Sequence, residues 1–406
     1  MKFGGTSVAD AAHIIDAAKR MVRARQEGNS VVAVLSARGA TTDQLVEMAR
    51  EISPEPHPRE MDMLLSTGER VSCALVAMAI HDLGHEAVSL TGSQAGIETD
   101  SSHTKAKITQ IRPFRVERAL DEGRIVLVAG FQGVSATTKD VTTLGRGGTD
   151  ATAVALAAAL GAACEIYSDV PGVFTADPRL VPAARKLPRI SYDEMLEMSA
   201  SGAKVLMLRS VELARNHGVR VHARSTFSDE EGTWIGEEGM EDAIISGVTH
   251  NEQEVVFTLT GIPDVPGAAA AVFDAVAAAG VNVDTILQNV VHGVAELSFS
   301  VPREDVPATR EAIAAVQGEL GRMDVAEDPG LGKVSLVGAG MRSHPGVAAK
   351  MFRTLADEQI NLRMIVTSPI KISCMIAKEE IPTALRALHS AFELDGAPEE
   401  EETVRA

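Results

Sequence analysis

Several short stretches of this 406-residue chain combine residue types that can do chemistry. Lys2-Phe3-Gly4-Gly5-Thr6-Ser7 sets two glycines and a lysine ahead of a helix, so backbone N–H groups could close on an anion such as phosphate. A glycine pair there could equally be a plain turn. Thr142-Thr143-Leu144-Gly145-Arg146-Gly147-Gly148-Thr149-Asp150, which follows Gly130-Phe131-Gln132-Gly133 in one long loop, surrounds an arginine with three glycines. A planar guanidinium in so open a backbone can grip a carboxylate through two parallel hydrogen bonds, the alternative being a flexible surface turn. The hydroxyls and Asp150 at the following helix start could cap that helix or orient a lysine. Ser168 to Arg179 offers amides, hydroxyls, carboxylates and an apolar wall, which a nucleotide base and ribose require, though as a bare pattern it is any long loop. Ser66-Thr67-Gly68-Glu69 interrupts an apolar helical region, placing a carboxylate near a cleft or serving as a helix cap.

The elements that must position these residues are legible. Up to about residue 226, apolar runs at Val31–Leu35, Ile125–Ala129 and Cys164–Ser168 alternate with amphipathic stretches such as Ala11–Arg25, where Ile14, Ile15, Ala18, Met21 and Val22 share a face. That pattern predicts a mainly parallel sheet with helices, with ligands beyond the carboxyl ends of its strands. Residues 227–243 are acidic and glycine-containing and read as a linker. Beyond them Pro266-Gly267 recurs as Pro345-Gly346, 79 residues on, with Gly261/Gly340, Phe273/Phe352, Asn282/Asn361 and Ile286/Ile365 at the same offset. A duplicated small α/β module follows, over 244–325 and 326–395, with an acidic tail at 396–406. Gly332-Lys333-Val334 and Gly338-Ala339-Gly340 look like nucleotide fingerprints but fall inside the repeat and lack the required neighbours.

A formal net charge of −18 argues against nucleic acid as a partner. No apolar run approaches the roughly 18 to 20 residues of a membrane span, and no basic-then-apolar leader opens the sequence, so the expected location is cytoplasmic. Cys73, Cys164 and Cys374 are scattered and odd in number, which excludes a disulfide framework or a cysteine zinc site, and no metal ligand set is assigned.

Taken together, KFGGTS at 2–7, STGE at 66–69, TTLGRGGTD at 142–150, SDVPGVFTADPR at 168–179 and SGAKVL at 201–206 resemble the aspartate kinase family in order and spacing, over essentially the whole chain. The resemblance implies an amino-acid kinase-type, mainly parallel sheet sandwiched by helices over 1–226, then two ACT-like, ferredoxin-like βαβ modules. In that family the strand near 245–249 typically joins the second module. It also implies transfer of the ATP γ-phosphoryl group to the β-carboxylate of L-aspartate with Mg²⁺, in lysine, threonine and methionine biosynthesis. By that resemblance Lys2 and Lys204 supply positive charge and Asp150 holds them; Gly4, Gly5 and Ser7 cradle phosphates; Arg146 clamps the α-carboxylate, Glu69 receives the ammonium, and Thr42 and Thr149 line the substrate site. Ser168, Asp169, Phe174, Asp177 and Arg179 would contact the nucleotide. Lysine and threonine are the expected effectors, at Asp264, Gln288 and Asn289 in the first module and Ser343, Thr367 and Ser368 in the second. A homodimer, or a mixed oligomer with a shorter ACT-only subunit started near Met240, is the expected assembly. The sequence departs from the family in having Met1 directly before Lys2, where a few strand residues are usual, and Thr149 where serine is usual. A glutamate or acetylglutamate kinase would share the fold and lysines without this combination of motifs and modules, and a purely regulatory amino-acid sensor is the rival of a different class.

Overall fold

The alternating pattern resolves into strands and helices in a computed structural model that describes residues 1–237, 244–291, 293–321, 323–342 and 344–395. Two units emerge. The first comprises Met1–Val173, Lys186–Ala200 and Lys204–Glu241, the second Phe174–Arg185, Ser201–Ala203 and Asp242–Ala406.

The first unit runs β1 (Lys2–Phe3), α1 (Ala11–Gln26), β2 (Val32–Leu35), α2 (Thr41–Ile52), α3 (Pro58–Leu65), α4 (Thr67–Asp82), β3 (Ala87–Leu90), β4 (Ile97–Thr99) and β5 (Ile108–Ile111). It continues with α5 (Phe114–Asp121), β6 (Ile125–Ala129), β7 (Gln132–Ser135), β8 (Val141–Thr143), α6 (Gly148–Leu160), β9 (Cys164–Ser168), β10 (Arg189–Ser191), α7 (Tyr192–Ala200), α8 (Leu208–His217), β11 (Val221–Ser225) and β12 (Thr233–Gly236). Eight strands form one sheet in the order β10-β12-β11-β9-β1-β2-β6-β3. All neighbours are parallel except β11 and β12. All five residues of β6 are buried, the continuous apolar run expected of a strand covered on both faces. A smaller sheet, β5-β4-β7-β8, stands beside it in the same unit.

Four expectations need correction. The long loop after β6 contains the β7–β8 hairpin, because Gln132–Ser135 and Val141–Thr143 pair across a polar turn. The acidic stretch read as a linker supplies β12, where Thr233 and Ile235 point inward against β11; residues 238–243, with Met240, lie outside the described residues. On α1, capped by Asp10 through the His13 N–H, Ala17 replaces Ile15 on the buried face, since a 100° rotation per residue carries Ile15 to 43% exposure. Finally, α3 and α4 abut to make one stretch, Pro58–Asp82, long and apolar enough by length and composition to cross a membrane, with mean hydropathy 1.4 in its best window. Half of that window is buried within the fold, and α4 packs on α1 and β6, so it reads as core helix.

The second unit holds β13 (Gly247–Asn251), β14 (Glu254–Pro263), α9 (Ala268–Ala278), β15 (Ile286–Val291), β16 (Val294–Pro302), α10 (Val306–Leu320), β17 (Asp324–Asp328), β18 (Leu331–Val337), α11 (Val347–Asp357), β19 (Met364–Ser368), β20 (Lys371–Ala377) and α12 (Ile381–Ala391). Its sheets are β15-β16-β14-β17 and β13-β18-β20-β19. β13 thus precedes the first module in sequence but is a strand of the second. The repeat is visible in the backbone: α9 and α11 are both 11 residues long, begin 79 residues apart, and follow glycines at φ 98° and 99°. Only glycine adopts that left-handed geometry without strain. Ala176 and Val181 pack in this unit's core with Val248, Met351 and Leu388, and Thr175 Oγ1 meets His389 Nε2 at 2.9 Å. Residues 396–406, the expected tail, lie outside the described residues.

Lys333, in the fingerprint look-alike, is 2% exposed and bonded to Glu254 at 2.6 Å and to Asp284. Burial pulls its pKa down, but the two carboxylates outweigh this and hold it above the ordinary lysine value. Glu254 and Lys333 sit 79 residues apart, at equivalent repeat positions. Lys333→Ala strands a buried carboxylate and should destabilise the protein by about 3–5 kcal/mol in denaturant unfolding. Removing the exposed Arg310–Glu327 pair should cost less than about 1 kcal/mol. Equal effects would contradict this assignment.

Candidate active site

The residues singled out at the sequence level gather where the parallel strands β1, β2 and β6 end. Lys2 lies on β1, paired with Val34 of β2 and Ile166 of β9. Its Nζ meets Asp150 Oδ1 at 2.6 Å, both side chains about nine-tenths buried. Asp150 is in the first turn of α6, but the N-cap is Gly147, so the carboxylate serves the lysine and not the helix end. The Gly4 backbone runs beside this pair: a Cβ there would stand 3.5 Å from Lys2 Nζ. Ser7 is fully buried, its hydroxyl 2.6 Å from that of Thr226 and its N–H donated to the Gly4 carbonyl.

Glu69, in the first turn of α4, is 3% exposed. Its Oε1 accepts from the Ala37 N–H at 3.2 Å, just past the end of β2, while Oε2 is buried without a partner. Burial pushes its pKa up to about 7, against smaller lowering by backbone N–H groups and Arg70. Gly68 packs on Ala37 and Thr41, bringing α4 against the start of α2, where Thr42 belongs to the first helical turn and not to a loop, since the helix starts directly after Gly39 and Ala40. The cap expected at Ser66 is absent; Ser66 and Thr67 donate back to the Met63 and Leu64 carbonyls. Gln132 and Arg70, which the sequence did not single out as site residues, hold this corner: Gln132 Nε2 donates to Ser66 O at 2.8 Å, and Arg70 donates to Gln132 Oε1 and Ser66 Oγ.

Arg146 is exposed at the tip of the glycine turn. Gly147, at φ +70°, faces Met207, three residues beyond Lys204. The Thr149 methyl lies against Gly130, just past β6. The hydroxyls of Thr142 and Thr143, expected near the helix start, face inward instead, to Thr99 and Asp62, because β8 is a strand. Lys204 is exposed and, among the described residues, carries no ion pair, while Asp150 pairs with Lys2. Ser168 ends β9 and Asp169 is exposed beside it. Phe174, Asp177 and Arg179 belong with the second unit, where the Asp177 carboxylate accepts three hydrogen bonds from Arg179, one from its backbone N–H and two from its guanidinium.

In the second unit Asp264 and Gln288 line a pocket of about 80 Å³ beside Gly267. Asn289, next along β15, points to the opposite face. Thr367 and Ser368 end β19, and Ser343 lies outside the described residues. A cavity of about 820 Å³ opens ahead of the start of β1, lined by Met1, Arg20, Val32, Cys164, Arg224 and Trp234. None of the site residues expected from the sequence lines it.

The amino acid kinase family model matches residues 1–225, and ACT domain models match 256–319 and 334–392. The chain is 55% identical over 406 residues to a protein named aspartokinase from Mycolicibacterium smegmatis, covering 98% of this chain and 96% of that one. The crystal structure of E. coli aspartokinase III with aspartate and ADP, in the R-state, superposes with a TM-score of 0.81 at 25% identity, over 96% of this chain and 98% of the other. The T-state of that enzyme with lysine and aspartate gives 0.75, with the same identity and coverage.

A glutamate free in an unfolded chain ionises near 4.5, whereas folded Glu69 does so near 7. The protonated form is therefore favoured by folding, and stability is lost as pH rises from 4.5 through 7, by about 3 kcal/mol in all. Glu69→Gln should raise the thermal midpoint at pH 8 and barely change it at pH 5. An equal shift at both values would contradict the burial penalty.

Proposed function

Because this chain belongs to the aspartokinases of the amino acid kinase family and carries two ACT domains, we propose that it transfers the γ-phosphoryl group of ATP to the β-carboxylate of L-aspartate, giving 4-phospho-L-aspartate. The observation that carries this reading is the buried Lys2–Asp150 pair beside the Gly4 backbone at the carboxyl edge of the central strands. The attacking group is a carboxylate, already ionised at neutral pH, so no general base is needed. What the protein must provide is placement and positive charge around the transferring group.

Lys2, held by Asp150, and Lys204 would supply that charge, and the backbone at Gly4 and Gly5 would lie along the phosphates. Arg146 would grip the α-carboxylate in a fork, and the unpartnered Oε2 of Glu69 would take the α-ammonium. Mg²⁺ bound with the nucleotide would neutralise phosphate oxygens.

Feedback control by lysine and threonine is part of the same proposal. The small pocket with Asp264 and Gln288 suits an ammonium and a polar amino-acid head, and the E. coli relative was crystallised with lysine in its T-state. Assembly through the ACT domains, as a homodimer or with a shorter ACT-only subunit, is supported by the edge strand β15, where Ile286, Leu287 and Val290 are 44–53% exposed. A cytoplasmic location suits the three buried free thiols.

Acyl phosphate trapped as a hydroxamate tests the reaction: turnover with ATP, Mg²⁺ and aspartate but not glutamate, suppressed by lysine or threonine, is the expected result. No turnover with aspartate would sink the proposal. Glu69 must be ionised to receive the ammonium, so KM for aspartate should climb toward about tenfold per unit as pH falls below 7, with KM for ATP nearly flat. A flat aspartate profile would remove Glu69 from the substrate site.

A further inference from the structure

α3 buries one residue, Asp62, and that residue is a carboxylate with no exposed surface. A helix that only needed an anchor would do better with an apolar side chain, because a buried charge is costly unless it is fully bonded. Asp62 is bonded by donors from two separate segments. His103 Nδ1 lies 2.6 Å from Oδ2, the Thr104 N–H reaches both oxygens at 3.1 and 3.2 Å, and the Thr143 hydroxyl donates to Oδ1 at 2.5 Å.

Both segments frame the arginine turn. Thr143 ends β8, and Arg146 follows three residues later. Thr104 is held at φ +64°, a conformation a β-branched residue adopts only under constraint, and its carbonyl stands 3.1 Å from where a Cβ on Gly145 would be. The Ala106 N–H closes the same frame onto the Thr143 carbonyl. From the other side, Arg209 of α8 donates to the carbonyls of Leu144 and Ala106, at 2.8 and 3.0 Å. The turn carrying Arg146 is thus clamped between a buried carboxylate and a half-buried guanidinium, neither of which is among the residues read as touching substrate.

We propose that Asp62 is a positioning residue for the amino-acid substrate: by drawing Thr104 and Thr143 together it fixes the Gly145–Gly147 turn and so aims the Arg146 guanidinium. This rests on the aspartate reading above. Lys2 and Gly4 belong to a different part of the unit and are bonded independently of Asp62, so the loss falls on aspartate and not on ATP.

Asp62→Asn keeps the size and removes the charge. It should raise KM for aspartate by about tenfold or more, the worth of a charge-assisted hydrogen bond, with KM for ATP within about twofold. In an Arg146→Lys background the same substitution should add little, because the two act through one contact. If Asp62→Asn does not fold, Thr143→Val, which removes one donor, should shift KM for aspartate in the same direction by a few-fold. An unchanged aspartate KM, equal changes for both substrates, or full additivity with Arg146→Lys overturns the positioning role. Wild-type protein in the same assay separates the two claims: no turnover of aspartate defeats the function reading and this inference together, whereas turnover with any of the other outcomes defeats the inference alone.

Discussion

An ammonium group nine-tenths removed from water has to be met by a negative charge, and at the centre of the large sheet Asp150 meets that of Lys2 at 2.6 Å. Much of the first unit follows from that requirement. β1 is two residues long and lies between β2 and β9, so its register is set by pairing on both sides and by Phe3 stacking on Tyr167 at 4.8 Å. Asp150 can approach only because α6 lies close to the sheet, and an alanine-rich helix with ten buried residues, most of them small, allows it. Substituting bulk along α6 would move the carboxylate before it touched any substrate.

Buried charge is used in two ways. In the second unit Lys333 is bonded between Glu254 and Asp284, one cation to two carboxylates with Glu254 Oε2 buried and unpartnered, and the result is structure. At the carboxyl edge of the large sheet the accounts are left open. Glu69 has one oxygen bonded and one bare. Such groups weaken the free protein and gain when a ligand completes them, the usual trade between stability and activity. The chain as a whole is strongly acidic, so cations in this cleft are a local exception that favours anionic ligands.

What the sequence made legible was local or repeated. The runs at Ile125–Ala129 and Cys164–Ser168 are strands with those limits, because apolar content and turn residues bound them on both sides. The 79-residue offset reappears as two helices of equal length behind equivalent glycines. What was missed depends on partners distant in sequence. Thr233–Gly236 hides in an acidic stretch and becomes a strand through β11 and β10. The Ser7 hydroxyl meets Thr226, far along the chain, a contact its glycine-pair motif does not foretell. Asp62 sits in an ordinary amphipathic helix, and only the return of residues 103, 104 and 143 makes it a hub. No spacing rule announces such contacts.

The central claim is that Lys2, seated by Asp150, lends its charge to phosphoryl transfer. A single-turnover measurement with Lys2→Met, with nucleotide binding followed on the same sample, tests it most directly. Transfer should slow by about 100- to 1,000-fold, the usual loss on removing one preorganised charge or donor from a transition state, with nucleotide affinity changed far less. Transfer at the wild-type rate by a folded, nucleotide-binding Lys2→Met protein would contradict the account.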